Sequence, residues 1–127
     1  MAEDRKGFLI SDRESGKIQV ADEVVAIIAG LAATEVEGVA SMAGNITKDI
    51  IARLGMKNLS RGVRVEMSEG AVVVYLALNI AYGYAIPEVT ANVQNKVKTA
   101  IQSMTGLEVS AVNIRIADVD MKSEAQS

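Results

Sequence analysis

Residues 71–81 read Ala-Val-Val-Val-Tyr-Leu-Ala-Leu-Asn-Ile-Ala and hold no charged side chain. In an extended strand, neighbouring side chains point to opposite faces. Val72, Val74, Leu76, Leu78 and Ile80 therefore share one face, and Val73, Tyr75 and Ala77 the other. Both faces are apolar, which places this strand in the middle of a sheet. The preceding residues complete a hairpin, with Val63, Val65 and Met67 alternating with Arg64 and Glu66 before a turn at Glu69-Gly70. The apolar inventory agrees: 16 Val and 12 Ile stand against 7 Leu, and β-branched side chains pack well on a pleated surface.

The rest of the chain arranges itself around that hairpin. Lys17 and Gln19 alternate with Ile18 and Val20, a short half-buried strand over 17–21, and Asp22 is placed to cap a first helix over about 23–36 that Gly38 closes. Residues 39–43 are extended and Gly44-Asn45 forms a turn. Ile46, Ile50, Ile51 and Leu54 then mark a short amphipathic helix ending at Gly55. Pro87 suits the first turn of a second long helix. Its dry face carries Val89, Val93, Val97, Ala100, Ile101 and Met104, and its wet face Asn92, Asn95, Lys98, Thr99 and Gln102. Gly106 ends that helix, and Val112, Ile114 and Ile116 alternate with Asn113 and Arg115 in a last strand reaching about residue 121.

The expected fold is α+β in two layers, a mainly antiparallel sheet of about four strands with two longer helices and one short helix. At 127 residues the chain has room for one domain. That domain is expected over 16–121. Residues 1–15, with seven charged side chains and no sustained period, read as a mobile tail, and residues 122–127 as a second one.

The chain has no His and no Cys. A Ser-His-Asp triad, a thiol nucleophile, a zinc site of the usual ligands and a His-held haem are all excluded. Carboxylates remain. Asp118 and Asp120 lie two apart on one strand face, too few for a calcium cage, and read as a charged strand end. Glu66, Glu69 and Glu88 are scattered and form no acid–base pair. Neither GxGxxG nor GxxxxGK[ST] occurs, so no phosphate-cradling loop is expected, and no catalytic, metal or cofactor-binding residue is nominated. Tyr82-Gly83-Tyr84 reads as a strand-to-helix turn in which one tyrosine packs. The charged start shows no apolar signal segment, and the uncharged run over 24–34 is far shorter than a membrane span. A cytoplasmic protein is expected, peripheral to the membrane only through a partner.

Two features read as interaction surfaces. The first helix lacks a charged face through its middle, and Ala26, Gly30 and Ala29, Ala33 form pairs four apart that permit close approach by another element. Burial against the sheet and the other helices is the plain reading; a self-association or partner surface is the sharper one. The second feature is charge. Residues 48–64 carry Lys48, Arg53, Lys57, Arg61 and Arg64 against Asp49 alone, in a chain whose net charge is −3. The plain reading is a solvated loop and helix face; the sharper one is an anion-facing patch. No aromatic side chains are interleaved with it for base stacking, and the whole chain lacks a basic footprint, so no nucleic-acid partner is expected.

Several blocks together resemble the alkaline shock protein family of Gram-positive bacteria, also called the envelope stress response family. They are residues 16–25 (GKIQVADEVV), residues 28–33 (IAGLAA), Glu37-Gly38-Val39 and residues 60–65 (SRGVRV). The resemblance continues through Tyr82-Gly83, Ile86-Pro87-Glu88-Val89, Asn92-Val93-Gln94 with Val97, Thr105-Gly106-Leu107 and Val112-Asn113-Ile114. It covers about 16–119. The resemblance implies a cytoplasmic α+β protein without known catalytic activity, linked to cell-envelope homeostasis, some relatives acting at the membrane through partner proteins. The expected function is therefore a non-enzymatic scaffold with a protein partner or a second copy of itself. Regulation of fatty-acid synthesis by binding an enzyme subunit is the alternative, since some relatives are encoded near such genes. An RNA-binding module on a KH-like layout is a second alternative, weakened because no GXXG loop occurs.

Overall fold

The computed structural model describes residues 7–13, 15–44, 53, 55, 60–68 and 71–121. The elements run β1 (Gly7–Arg13), β2 (Gly16–Ala21), α1 (Asp22–Thr34), β3 (Val39–Met42), β4 (Val63–Ser68), β5 (Ala71–Ala81), α2 (Ile86–Thr105) and β6 (Glu108–Asp120). This is an α+β fold. The short helix expected at 46–54 lies outside the described residues apart from Arg53, which is helical. The turn residues Glu69 and Gly70, Lys48 and Lys57, and residues 1–6 and 122–127 also lie outside them.

β5 is the central strand, as its two apolar faces require. β6 pairs with it in parallel over its full length, from Ala71↔Glu108 to Ala81↔Asp120. On the other edge two antiparallel strands share the length: β4 pairs from Ser68↔Ala71 to Val63↔Leu76, and β3 from Met42↔Leu78 to Val39↔Ile80. A parallel β5–β6 pair needs a crossover connection, which α2 supplies, and Pro87 and Gly106 bound that helix as expected. Gly106 adopts φ 78°, and its N–H donates to the Gln102 carbonyl.

The core lies between the sheet and the two helices. Val72, Val74, Leu76, Leu78 and Ile80 of β5 meet Val25, Ile28, Ala29, Ala32 and Ala33 of α1 and Val89, Val93, Val97 and Ile101 of α2 in one buried cluster. Inside it, Asn79 Nδ2 donates to Ser41 Oγ at 2.9 Å and to the Met42 carbonyl, joining β5 to β3 where the ladder shifts register. A buried amide so placed is satisfied rather than stranded.

Five expectations are corrected. Residues 7–13 are not tail but strand β1, paired antiparallel with β2 as a separate two-stranded sheet. The neighbouring charges hide the signal, yet Phe8 sits in the core at 6% exposure with Ile10 packed against it, and that burial fixes the strand. Two sheets and six strands result among the described residues. β2, expected to be half-buried, is exposed except at Val20, which packs against the core. Asp22 is the first helical residue rather than the cap; Ala21 holds the cap position without a side-chain hydrogen bond, and Asp22 and Glu23 instead place negative charge at the positive end of the helix. Met104, assigned to the dry face of α2, is 71% exposed, and Thr105 is buried in its place, its hydroxyl donating to the Ile101 carbonyl.

Gly38 does not close α1, which ends in a tighter turn at Glu35. It serves a different purpose in the turn that follows. Its φ is 99°, and a Cβ there would lie 2.6 Å from Val89 Cγ2 and 3.0 Å from the Tyr84 ring. Only glycine lets the α1–β3 turn pass this close to α2.

Candidate interaction surface

The small-residue face of α1 is not a free surface. Ala26, Ala29, Gly30 and Ala33 are all buried within the chain, because α1 packs on both α2 and the sheet. The apolar circumference is spent on two neighbours, which corrects the sharper reading of those four positions as a docking site.

The other face of the sheet has no helix over it among the described residues. Alternation puts Arg64 and Glu66 of β4, Val73, Tyr75 and Ala77 of β5, and Asn113 and Arg115 of β6 on the side opposite the core. The register aligns them in rows: Arg64, Tyr75 and Asn113 form one, and Ala77 and Arg115 fall together in the next. These strands, with Arg61 and Gly62 from the single turn before β4, line an open depression of about 480 Å³. Its floor is Tyr75 and Ala77, and its rim is arginine.

The three arginines differ in what already holds them. The Arg64 guanidinium carbon lies 4.2 Å from the centre of the Tyr75 ring and the same side chain ion-pairs with Glu66. A cation over a tyrosine face is attracted by the ring's quadrupole, so Arg64 has two local partners although its side chain is 64% exposed. Arg61 and Arg115 are exposed and have no acidic partner among the described residues. Each offers a planar fork of N–H donors suited to a carboxylate or a phosphate.

Of the expected basic stretch, Arg61 and Arg64 are therefore brought together on this face. Arg53 is exposed and does not line the depression, and Lys48 and Lys57 lie outside the described residues. Sequence reasoning missed Arg115, Tyr75 and Asn113 as members of the same surface. The alternation of each strand assigns their side; what could not be read was that β6 lies beside β5. At the far end of the sheet, Asp118 accepts the Val119 N–H at 2.8 Å through its own side chain, and the described residues contain no cluster of acids able to hold a metal ion. Residues 82–84 form the expected turn, but both tyrosines are exposed, Tyr82 at 50% and Tyr84 at 44%, and Tyr84 donates its hydroxyl proton to Glu37 at 3.3 Å.

The described residues form a small α+β fold with exposed arginines on an open sheet face. A model of the alkaline shock protein 23 family, described as having a cell envelope-related function, matches residues 11–121, and the chain belongs to that family. It is 35% identical over 115 residues to the uncharacterized protein YqhY of Bacillus subtilis (strain 168), covering 91% of this chain and 85% of that one. It is 26% identical over 113 residues to a stress response regulator gls24 homolog of Streptococcus pyogenes, covering 88% of this chain and 63% of that protein. Among solved structures, a MamM CTD variant aligns at 12% identity with a TM-score of 0.48, over 78% of this chain and 96% of that one. No helix among the described residues is long and apolar enough to cross a membrane.

Proposed function

We propose that this protein is a non-enzymatic scaffold of the cell-envelope stress response, holding a protein partner on the open face of its sheet. The observation that carries this reading is the contrast between a sheet face closed by two helices and one left open among the described residues, rimmed by Arg61 and Arg115. Membership in a family of cell envelope-related function supplies the setting. In this reading the protein reaches the membrane through that partner. The reading is tested by crosslinking in the native cell under neutral and alkaline growth, followed by affinity capture of the chain. A defined envelope protein enriched in alkali is the expected result. Failure to enrich any envelope protein, together with unchanged envelope integrity on deleting the gene, overturns it.

A further inference from the structure

The open face carries a specific charge pattern. Among the described residues Arg61 and Arg115 have no acidic partner; they lie on opposite sides of β5, Arg64 is held by Glu66 and Tyr75, and Asn113 adds an exposed amide on β6 beside Arg115. The whole chain, by contrast, has a net charge of −3. The positive character is local, and it lies on a pleated floor of Tyr75, Ala77 and Val73 that is only half-buried.

Resting on the scaffold reading, we infer that this face binds an extended, acidic protein segment, with Arg61 and Arg115 each taking one carboxylate. Charge complementarity selects the occupant. A guanidinium meets a carboxylate through two parallel N–H···O bonds, and such pairs fix register as well as sign. Arg115 lies on β6, and Arg61 in the turn that leads into β4 on the other side of β5. In an extended segment, carboxylates two to four residues apart span about 7 to 13 Å, a reach long enough to cross one central strand. The segment's intervening apolar side chains would cover Tyr75 and Ala77.

Nucleic acid fits the same face less well. Single-strand binders stack bases on free aromatic rings. The one aromatic ring here already carries the Arg64 guanidinium at 4.2 Å, and Glu66 beside it repels phosphate. A face whose described residues include two arginines without an acidic partner among them is also too sparse to track a polyanionic backbone.

The test uses the full chain and a fluorescently labelled peptide alternating Glu with Val and Thr, read by anisotropy at low ionic strength. Its control replaces every Glu by Gln. Two double variants are compared, Arg61→Gln with Arg115→Gln and Arg61→Glu with Arg115→Glu; both positions are exposed, and unchanged thermal unfolding verifies the fold. Binding of the acidic peptide alone is expected, weakened at least tenfold by the Gln pair and abolished by the Glu pair. Equal binding to all three proteins, or no binding at millimolar peptide, overturns the inference. So does arginine-dependent binding of polyuridylate RNA in place of the peptide, which would assign the face to nucleic acid. If the peptide fails while in-cell capture still enriches an envelope protein, the acidic-segment assignment falls and the scaffold reading stands. Peptide binding without such capture has the opposite meaning.

Discussion

The two faces of the one sheet differ less in β5 than in the strands that flank it. Along β5 the inner face has Val72, Val74 and Leu76, and the outer face Val73, Tyr75 and Ala77; neither carries a charge. The flanking strands separate them. Inward, β4 presents Val63 and Val65 and β6 presents Val109, Val112 and Ile114; outward they present Arg64, Glu66, Asn113 and Arg115. A central strand alone therefore leaves open which side acquires helices. The edges decide it, because α1 and α2 can bury their apolar faces only where all three rows are apolar.

Reversing one residue on each face is the strongest way to break this contrast. Val74 is wholly buried, and Val74→Asp places a carboxylate among α1, α2 and β6 with no partner; a loss above about 4 kcal/mol is expected, enough to abolish cooperative urea unfolding. Ala77→Asp lies three residues away on the open side, beside Arg115. Its expected loss is no more than about 1 kcal/mol, the span of strand propensity itself. Similar losses at the two positions would mean that the outer face is covered in solution.

The next effect concerns how tightly the helix layer closes. Gly38→Ala adds left-handed strain of about 1–2 kcal/mol, and its Cβ meets Val89 Cγ2 at 2.6 Å. A total loss of about 3 kcal/mol is expected in thermal or urea unfolding. Relief by the further change Val89→Ala would show that the clash is with that side chain. Asn79→Ala comes third. It leaves the Ser41 hydroxyl and the Met42 carbonyl without the Asn79 amide, and about 1–2 kcal/mol is expected. An outcome near zero would indicate that water replaces the amide between β3 and β5.

How much of this was legible beforehand follows the range of the interactions involved. The β4–β5 hairpin, the central place of β5 and the ends of α2 depend on residues close in sequence, so alternation, Pro87 and Gly106 suffice. β1 depends on Phe8 finding a core made mostly of later residues, and its flanking charges conceal it. The same limit applies to the site. Counting charges finds Arg61 and Arg64, but Arg115 joins them only through the parallel pairing of β6 with β5, more than fifty residues downstream of Arg61. The four small residues of α1 teach the converse: their spacing correctly signals close approach, and the neighbour is the protein itself.

The smallest effect tests whether the outer face is ordered or merely exposed. Arg64 and Tyr75 are register partners on adjacent strands, with the guanidinium over the ring, while Glu66 competes for the same cation. A double-mutant cycle with Arg64→Ala and Tyr75→Leu isolates the pair from the separate loss of each side chain. An exposed cation–π contact is worth about 0.5–1 kcal/mol, so a coupling energy near 0.5 is expected from urea unfolding. Repeating the cycle on a Glu66→Gln background sharpens it: if the ion pair is what holds Arg64 over the ring, coupling falls, and if the ring suffices, coupling persists. A coupling of zero in both would mean that Arg64 swings free. The face would then offer a third arginine to an acidic segment, and Tyr75 would become the stacking platform whose absence argues against nucleic acid.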